Sequence, residues 1–300
     1  MGTEAAKIAI ERAGIRKEDI DFIIFATLSP DYYFPGCGVL VQRELGITNT
    51  EVGALDIRNQ CSGFVYGLSV ADQFIKTGMY KNILLVGAEM HSMGLEFTTK
   101  GRNVTVIFGD GAGAVVLQPT EDENQGVLTT KLHSDGTYAE KLAMLVPGSH
   151  GGYHFDKAGI DMDFGWSDTE YGEIFMNHHI IDNNMQYPVM EGQFVFKLAV
   201  KKFPEVIMEA LAAAKLQVGD IDMLIPHQAN LRIAQFVQRT LKLSDDQVYN
   251  NIQKYGNTTA ASIPIALCEA WEEGKIKDGD LVCLAAFGSG FTWGSALIRW

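Results

Sequence analysis

Two stretches of the chain, AIERAGIRKEDIDFII at residues 9–24 and ALAAAKLQVGDIDMLI at residues 210–225, decide the fold. Each joins the end of an amphipathic helix to an apolar run, and the spacing between them is the same in both. A second similarity relates FGDG at 108–111 to FGSG at 287–290, each ahead of an apolar segment. Similar segments in the same order predict a chain made of two duplicated halves.

Apolar runs of strand length alternate with helical patterns in both halves. Strands are predicted at 21–28, 52–57, 82–87, 112–117, 222–225, 281–286 and 294–300, with 104–108 and 112–117 forming a hairpin. Helices are predicted at 3–14, 36–45, 61–77, 197–215, 230–242 and 261–273. This alternation is typical of an α/β fold with parallel strands.

The repeat divides the chain into a first half at 1–120, a connecting segment at 121–190 and a second half at 191–300. Within the connection, 148–188 is rich in glycine, histidine, aspartate, asparagine and aromatic residues, and we interpret it as a lid or a dimer-contact element. The run MEGQFVF at 190–196 predicts a strand ahead of the second half's first helix. Its counterpart falls before Met1, so the first half is predicted to lack at least one strand.

Charge and composition exclude several classes of protein. The 24 basic and 37 acidic residues give a net charge of −13, which argues against a general nucleic-acid binder. No apolar run approaches the ~20 residues of a membrane span, and the amphipathic first helix is unlike a signal peptide. The four cysteines form no CxxC pair, so no zinc site is indicated. We expect a soluble, cytoplasmic protein.

Three residues at predicted junctions between strands and helices could form a nucleophilic site. Cys61 opens the helix CSGFVYGL, where the helix dipole and free amides would lower the pKa of a thiol. His227 follows the strand 222–225, and Asn257 lies in the polar turn GNTTAAS. Taken singly, each has a structural explanation as a buried cysteine or as a capping or turn residue. Together they are a candidate catalytic cysteine, histidine and asparagine.

Two other patterns carry weaker hypotheses. The glycines at 109, 111 and 113 lead into the apolar run AVVL instead of a helix, which does not fit a dinucleotide-binding loop. His150, His154, His178 and His179 could bind a metal, but they match no ligand spacing typical of metal sites, and we interpret them as surface residues.

Five motifs together resemble one enzyme family, β-ketoacyl-acyl carrier protein synthase III. They are DIRNQCSGFVYGL, FGDGAGAVVL, PHQANLRI, YGNTTAASIPIAL and AFGSGFTWGSALIRW, in the family's order. The resemblance covers nearly the whole chain except about 148–188. It implies the thiolase fold, in which two similar α/β halves form five layers, α-β-α-β-α.

The resemblance also implies roles for the candidate residues. Cys61 would take an acyl group from acyl-CoA, and His227 and Asn257 would bind the thioester carbonyl of malonyl-acyl carrier protein during decarboxylation. The backbone amides of Cys61 and Ser289 would form an oxyanion hole, and Phe287 would shield the site. The family pattern implies no cofactor and no metal, since the coenzyme A thioester is a substrate.

Further residues match the family's binding surfaces. Phe34 resembles the residue that reaches into the partner subunit's acyl pocket, which implies a homodimer. Arg232 matches a phosphate contact for coenzyme A and carrier protein, and Asn230, in the same motif, is expected to belong to the same binding site. Lys197 and Arg239 resemble members of the same basic docking patch. The alternative is that they belong to a charged helix face that only contacts solvent, since both arrangements give the same sequence pattern.

The chain departs from the family in two places. It begins after the family's N-terminal strand and after the segment that grips the adenine of coenzyme A, so we expect these 300 residues alone to be poorly soluble or inactive with coenzyme A substrates. The segment 148–188 is longer than in the housekeeping enzyme, which leaves a condensing enzyme of specialised metabolism with another primer as an alternative. A non-catalytic partner subunit would be expected to have lost Cys61.

Overall fold

The computed structural model describes residues 1–122, 124–148, 176, 178–182 and 184–300. Most of the segment 148–188, including His150 and His154, lies outside the described residues, so the interpretation of that segment as a lid or dimer contact stays a prediction.

The described chain contains nine helices and ten strands. The helices are α1 (Gly2–Arg12), α2 (Cys37–Glu44), α3 (Gly63–Lys76), α4 (Arg102–Thr105), α5 (His178–Asp182), α6 (Gly192–Ala213), α7 (Leu231–Leu241), α8 (Ile252–Tyr255) and α9 (Ser262–Glu272). The strands are β1 (Phe22–Ala26), β2 (Gly53–Ile57), β3 (Ile83–Glu89), β4 (Gly111–Leu117), β5 (Gly126–Ser134), β6 (Leu142–Ala143), β7 (Val189–Met190), β8 (Met223–Pro226), β9 (Leu281–Gly288) and β10 (Thr292–Arg299).

The two four-stranded sheets share an arrangement of three strands, β1-β3-β4 in the first and β8-β9-β10 in the second. The first has the order β2-β1-β3-β4, and the second has the order β5-β10-β9-β8. In each sheet two neighbouring strands run parallel, β1 with β3 and β8 with β9, and the next strand in the sheet, β4 or β10, is antiparallel. The match in order and direction confirms the duplicated halves.

Helices cover both faces of each sheet. Helices α1 and α2 pack on the outer face of the first sheet, and α6 packs on the outer face of the second, with α7 beside it. Helices α3 and α9 lie between the sheets and contact both. The resulting α-β-α-β-α layers agree with the predicted fold. Every residue of β1, β3 and β9 is buried, as expected of strands covered on both faces.

The two sheets differ at both edges, since β2 flanks β1 but no described strand flanks β8 in the same way. In the second sheet β5 pairs antiparallel with β10, whereas no described strand covers the corresponding edge of β4. Strand β5 thus joins the second sheet although it lies in the segment 121–190. A cavity of about 670 Å³ lies along the β4 edge, and none of Cys61, His227 and Asn257 lines it.

Two predictions of local structure are wrong. The run 104–108, expected as a strand, contributes to the short helix α4, so β4 has no hairpin partner there. The run 190–196, expected as a strand, supplies only the last residue of β7, and α6 begins at Gly192. Both runs are apolar and short, and periodicity cannot separate a strand from a helical turn at that length.

Candidate active site

Cys61 lies in a short 3₁₀ turn, Gln60–Ser62, at the point where β2 leads into the central helix α3. The preceding residue, Gln60, has a φ of 44°, in the left-handed region that residues other than glycine rarely adopt. Such backbone strain costs on the order of 1–3 kcal/mol and is concentrated at functional sites. The turn places the buried thiol at the start of α3, between the two sheets.

The expectation of a lowered thiol pKa at Cys61 is wrong. Burial raises its pKa to about 12, the carboxylate of Glu89 adds to the rise, and the amides of Ser289 and of Cys61 itself oppose it. The free amides at the helix start were the reason for the expectation, but the loss of water around the sulfur outweighs them. The thiol of the free protein is therefore protonated near neutral pH.

The end of strand β9 packs directly against the thiol. A Cβ on Gly288 would lie 2.5 Å from Cβ of Cys61 and 2.9 Å from its Sγ, so only glycine fits there. The next residue, Ser289, donates its backbone N–H to the Cys61 sulfur, while its hydroxyl donates to the carbonyl oxygen of Leu142. Two amides, those of Cys61 and Ser289, therefore converge on the sulfur.

Phe287 does not lie beside Cys61. Successive side chains of a strand point to opposite faces, so its ring lies on the other face of β9 from Gly288. It is buried there, with its centroid 5.0 Å from the Phe291 ring and 6.2 Å from the Trp293 ring. The ring belongs to the outer core of the second half, and its shielding role stays a prediction.

His227 follows β8 and is buried with one ring nitrogen free. Its Nδ1 lies 2.6 Å from Oγ of Ser262, and its Nε2 has no hydrogen-bond partner among the described residues. Since Oγ of Ser262 accepts from the amide of Gln228 at 3.4 Å, its own hydrogen can point to Nδ1, which favours the tautomer protonated at Nε2. Burial lowers the pKa of His227 to about 3, so the ring is neutral.

Asn257 is held by its backbone and by its side-chain oxygen. Its N–H donates to the carbonyl of Ile107 at 2.8 Å, and its carbonyl accepts from the amide of Gly109 at 3.0 Å. Its Oδ1 accepts from the amide of Thr259 at 2.8 Å. With the oxygen occupied, the side-chain NH₂ is the group left to bind a ligand.

The three candidate residues lie on adjoining segments. A Cβ on Gly63 would lie 3.5 Å from Cβ of Ala260, which places the start of α3 against the turn after Asn257. Ser262, two residues beyond Ala260, contacts His227. The segments after β2, β8 and α8 therefore adjoin one another between the sheets.

The residues expected to bind coenzyme A and carrier protein lie on the surface. Arg232 and Arg239 are exposed on α7, Lys197 is exposed on α6, and these two helices pack together. None of the three forms a salt bridge with another described residue. Oδ1 of Asn230 accepts from the amide of Arg232 at 2.9 Å, so Asn230 caps α7.

Phe34 lies on the loop between β1 and α2. Its side chain is 82% exposed, and its ring centroid lies 6.4 Å from that of Tyr33. Nearby, Leu55 on the edge strand β2 is also exposed.

Four residues around the site had not been singled out from the sequence: Glu89, His91, Thr259 and Ser262. A charged residue that ends the apolar strand ILLVGAE could have pointed to Glu89, and a polar residue two positions beyond that strand could have pointed to His91. Thr259 and Ser262 gave no comparable signal, because hydroxyl residues are common in turns and helix starts.

The dinucleotide-loop alternative finds no support, and the hypothesis of a histidine metal site falls mostly outside the described residues. The glycines at 109, 111 and 113 lead into strand β4, which lacks the helix of a dinucleotide loop. Within residues 1–122, 124–148 and 184–300 and the short pieces between, no three histidine, cysteine or acidic side chains form a group able to hold a metal. None of the described helices combines the length and apolarity needed to cross a membrane.

Two family models match the chain. The model for 3-oxoacyl-[acyl-carrier-protein] synthase III matches residues 55–136, and the model for the C-terminal part of the same enzymes matches residues 211–300. These matches include Cys61 in the first half, and His227 and Asn257 in the second.

Full-length relatives and solved structures extend the match. The β-ketoacyl-[acyl-carrier-protein] synthase III of Caldanaerobacter subterraneus subsp. tengcongensis is 44% identical over 300 residues, covering 100% of this chain and 82% of that protein. The crystal structure of 3-oxoacyl-[acyl-carrier-protein] synthase III from Aquifex aeolicus superposes with a TM-score of 0.83 at 40% identity, covering 100% and 83%. The priming β-ketosynthase of the R1128 polyketide pathway superposes with a TM-score of 0.81 at 28% identity, covering 100% and 80%.

Proposed function

Because the chain belongs to the β-ketoacyl-acyl carrier protein synthase III family, it is a condensing enzyme with acyltransferase activity, and we propose that Cys61, His227 and Asn257 carry its reaction. The observation that supports this best is a buried donor without a partner. Nε2 of the buried His227 has no described partner, and Asn257 has only its NH₂ left to offer. A buried donor without a partner lowers the stability of the protein unless a ligand accepts its hydrogen bond.

In the first half-reaction the sulfur of Cys61 attacks the carbonyl carbon of acyl-CoA. The amides of Cys61 and Ser289 donate to the oxygen that becomes negative, and coenzyme A leaves with the thiol proton. Because the free thiol has a pKa of about 12, we expect the proton to move only when the thioester is in place.

In the second half-reaction His227 and Asn257 donate to the thioester oxygen of malonyl-acyl carrier protein. Loss of carbon dioxide builds an enolate on that oxygen, and a donor of this kind typically contributes about 3 kcal/mol. The enolate carbon attacks the acyl-cysteine, and the sulfur of Cys61 leaves and regains a proton. A neutral imidazole donates without quenching the enolate, which fits the low pKa of His227.

The proposed partners follow from the surface. The exposed Arg232, Arg239 and Lys197 would bind the phosphates of coenzyme A and the acidic carrier protein, on a chain that is otherwise acidic. Exposed Phe34 and the edge of β2 would meet a second copy, giving a homodimer in which Phe34 bounds the partner's acyl pocket. The reaction needs no cofactor, and four free cysteines fit a reducing cytoplasm.

The test is acylation of Cys61. Incubation with acetyl-CoA should add about 42 Da, the mass gained when an acetyl group replaces a hydrogen, to the peptide that contains Cys61. Cys61→Ser should abolish the adduct. Cys268→Ser is the matched control, since Cys268 lies outside the site and should leave the adduct unchanged. His227→Ala and Asn257→Ala should still acylate but should release carbon dioxide from malonyl-acyl carrier protein only at a low residual rate. An unmodified Cys61 in the folded enzyme contradicts the proposal.

The R1128 priming ketosynthase supports a second candidate, a related condensing enzyme with a different acyl primer. A panel of straight and branched acyl-CoA substrates, assayed with malonyl-acyl carrier protein, separates the two. A preference for acetyl-CoA favours the enzyme that initiates fatty acid synthesis, and a preference for longer or branched primers favours the alternative.

A further inference from the structure

Thr259 connects the proposed decarboxylation site to a histidine that neither half-reaction uses. Its φ is 49°, a left-handed conformation that β-branched residues avoid. In this conformation its amide donates to Oδ1 of Asn257 at 2.8 Å. The backbone of Thr259 therefore decides which way the amide group of Asn257 faces.

His91 holds Thr259 from the other side. It is 7% exposed, and its Nε2 lies 2.7 Å from Oγ1 of Thr259. Its backbone amide donates to the Asp110 carboxylate, and its ring centroid lies 4.8 Å from that of Phe108. These contacts hold the ring in place, and burial lowers its pKa to about 4, so a neutral imidazole faces the hydroxyl.

The same neighbourhood reaches the backbone of Asn257. Phe108, which packs on the His91 ring, forms an isolated parallel bridge with Asn257. A proton on His91 would disfavour a proton on His227, so the two imidazole rings lie near each other. His91 thus contacts both residues that position Asn257: Thr259, which binds its side chain, and Phe108, which pairs with its main chain.

We propose that His91 is a positioning residue for the decarboxylation half-reaction, and that it holds the Asn257 amide toward the malonyl thioester through Thr259. The inference rests on the proposed function of Asn257. His91 does not touch the reacting atoms. Its effect reaches the malonyl thioester only through the position of Asn257, and acylation of Cys61 does not need it.

The test separates the two half-reactions in His91→Leu and His91→Gln. Acylation is measured with acetyl-CoA, and decarboxylation is measured as carbon dioxide released from malonyl-acyl carrier protein by enzyme already acylated. Since a misplacement of about 1 Å costs on the order of 100-fold, His91→Leu should lower decarboxylation by roughly 10- to 100-fold and acylation by less than about twofold. His91→Gln places a polar group at similar reach and should restore most of the loss.

Two further comparisons make the test specific. His133→Leu, the same change at a partly exposed histidine that pairs with Glu209, should leave both half-reactions unchanged. In an Asn257→Ala background, His91→Leu should have no further effect on decarboxylation.

Each other outcome overturns the inference. Equal loss of both half-reactions means a general structural role, and loss of neither means no role. If Asn257→Ala lowers decarboxylation and His91→Leu does not, this inference fails alone. If Asn257→Ala leaves decarboxylation intact, the proposed role of Asn257 fails first and the inference falls with it.

Discussion

The carboxylate of Glu89 is buried beside the site, and replacing it with glutamine should change how stability depends on pH. Glu89 ends β3 with 1% of its surface exposed. It accepts from the Ser29 hydroxyl at 2.6 Å, from the Thr27 hydroxyl at 3.1 Å and from the Leu28 amide at 3.2 Å. Even so, burial raises its pKa from 4.5 to about 7, because the donors only partly replace water.

The size of the effect follows from that shift. Between pH 4.5 and 7 the folded protein holds a proton on Glu89 that the unfolded chain releases, so this group loses stabilising free energy as the pH rises. A shift of about 2.5 units corresponds to roughly 3 kcal/mol. Glu89→Gln cannot titrate, so its unfolding free energy relative to the native protein should rise by about 3 kcal/mol across this range.

The assay is equilibrium urea unfolding at pH 5, 6, 7 and 8, followed by tryptophan fluorescence. The pKa values of His91 and His227 are set by burial and by charges other than Glu89, so their titrations cancel between the two proteins. Any loss of hydrogen bonds to glutamine is an offset that does not depend on pH. Glu11→Gln provides the matched change at an exposed position. A difference between Glu89→Gln and the native protein that stays constant from pH 5 to 8 would refute the reasoning.

Three further predictions concern the site and its surface. Gly288→Ala puts a Cβ 2.5 Å from Cβ of Cys61, and overpacking of about 1–3 kcal/mol should displace the thiol and abolish acylation measured by mass spectrometry; a normal adduct would contradict the contact. Ser262→Ala removes the partner of His227 Nδ1 and should slow decarboxylation by about tenfold, while unchanged decarboxylation would show that the ring is oriented without it. Arg232→Glu should raise the KM for malonyl-acyl carrier protein, with an effect that shrinks in high salt, and an effect independent of salt would argue against electrostatic docking.

Much of the fold could be predicted because its signals are local. The repeated spacing at 9–24 and 210–225 identified duplicated halves, and the buried apolar runs identified β1, β3 and β9. The failures at 104–108 and 190–196 have one cause, since a short apolar run satisfies a strand or a helical turn equally well. Tertiary packing decided between them.

The sequence predicted which residues form the candidate site, but not the burial and charges that surround them. Cys61, His227 and Asn257 stood out because each follows or opens a regular element where ligands gather in α/β sheets. The state of the thiol was wrong, because burial and the charge of Glu89 come from elements distant in the chain. The placement of Phe287 away from the Cys61 side of β9 also depends on which face each strand residue takes.

By itself, the sequence determined the duplicated α/β architecture, the family and the three residues proposed for the chemistry, because repeats, periodicity and motifs are read along the chain. Only the tertiary structure decided the protonation of Cys61 and His227 and the orientation of Asn257. Those properties depend on exclusion of water and on contacts such as His91 with Thr259, which are 168 residues apart. Residues that distant become neighbours only when both halves have folded around the central helices.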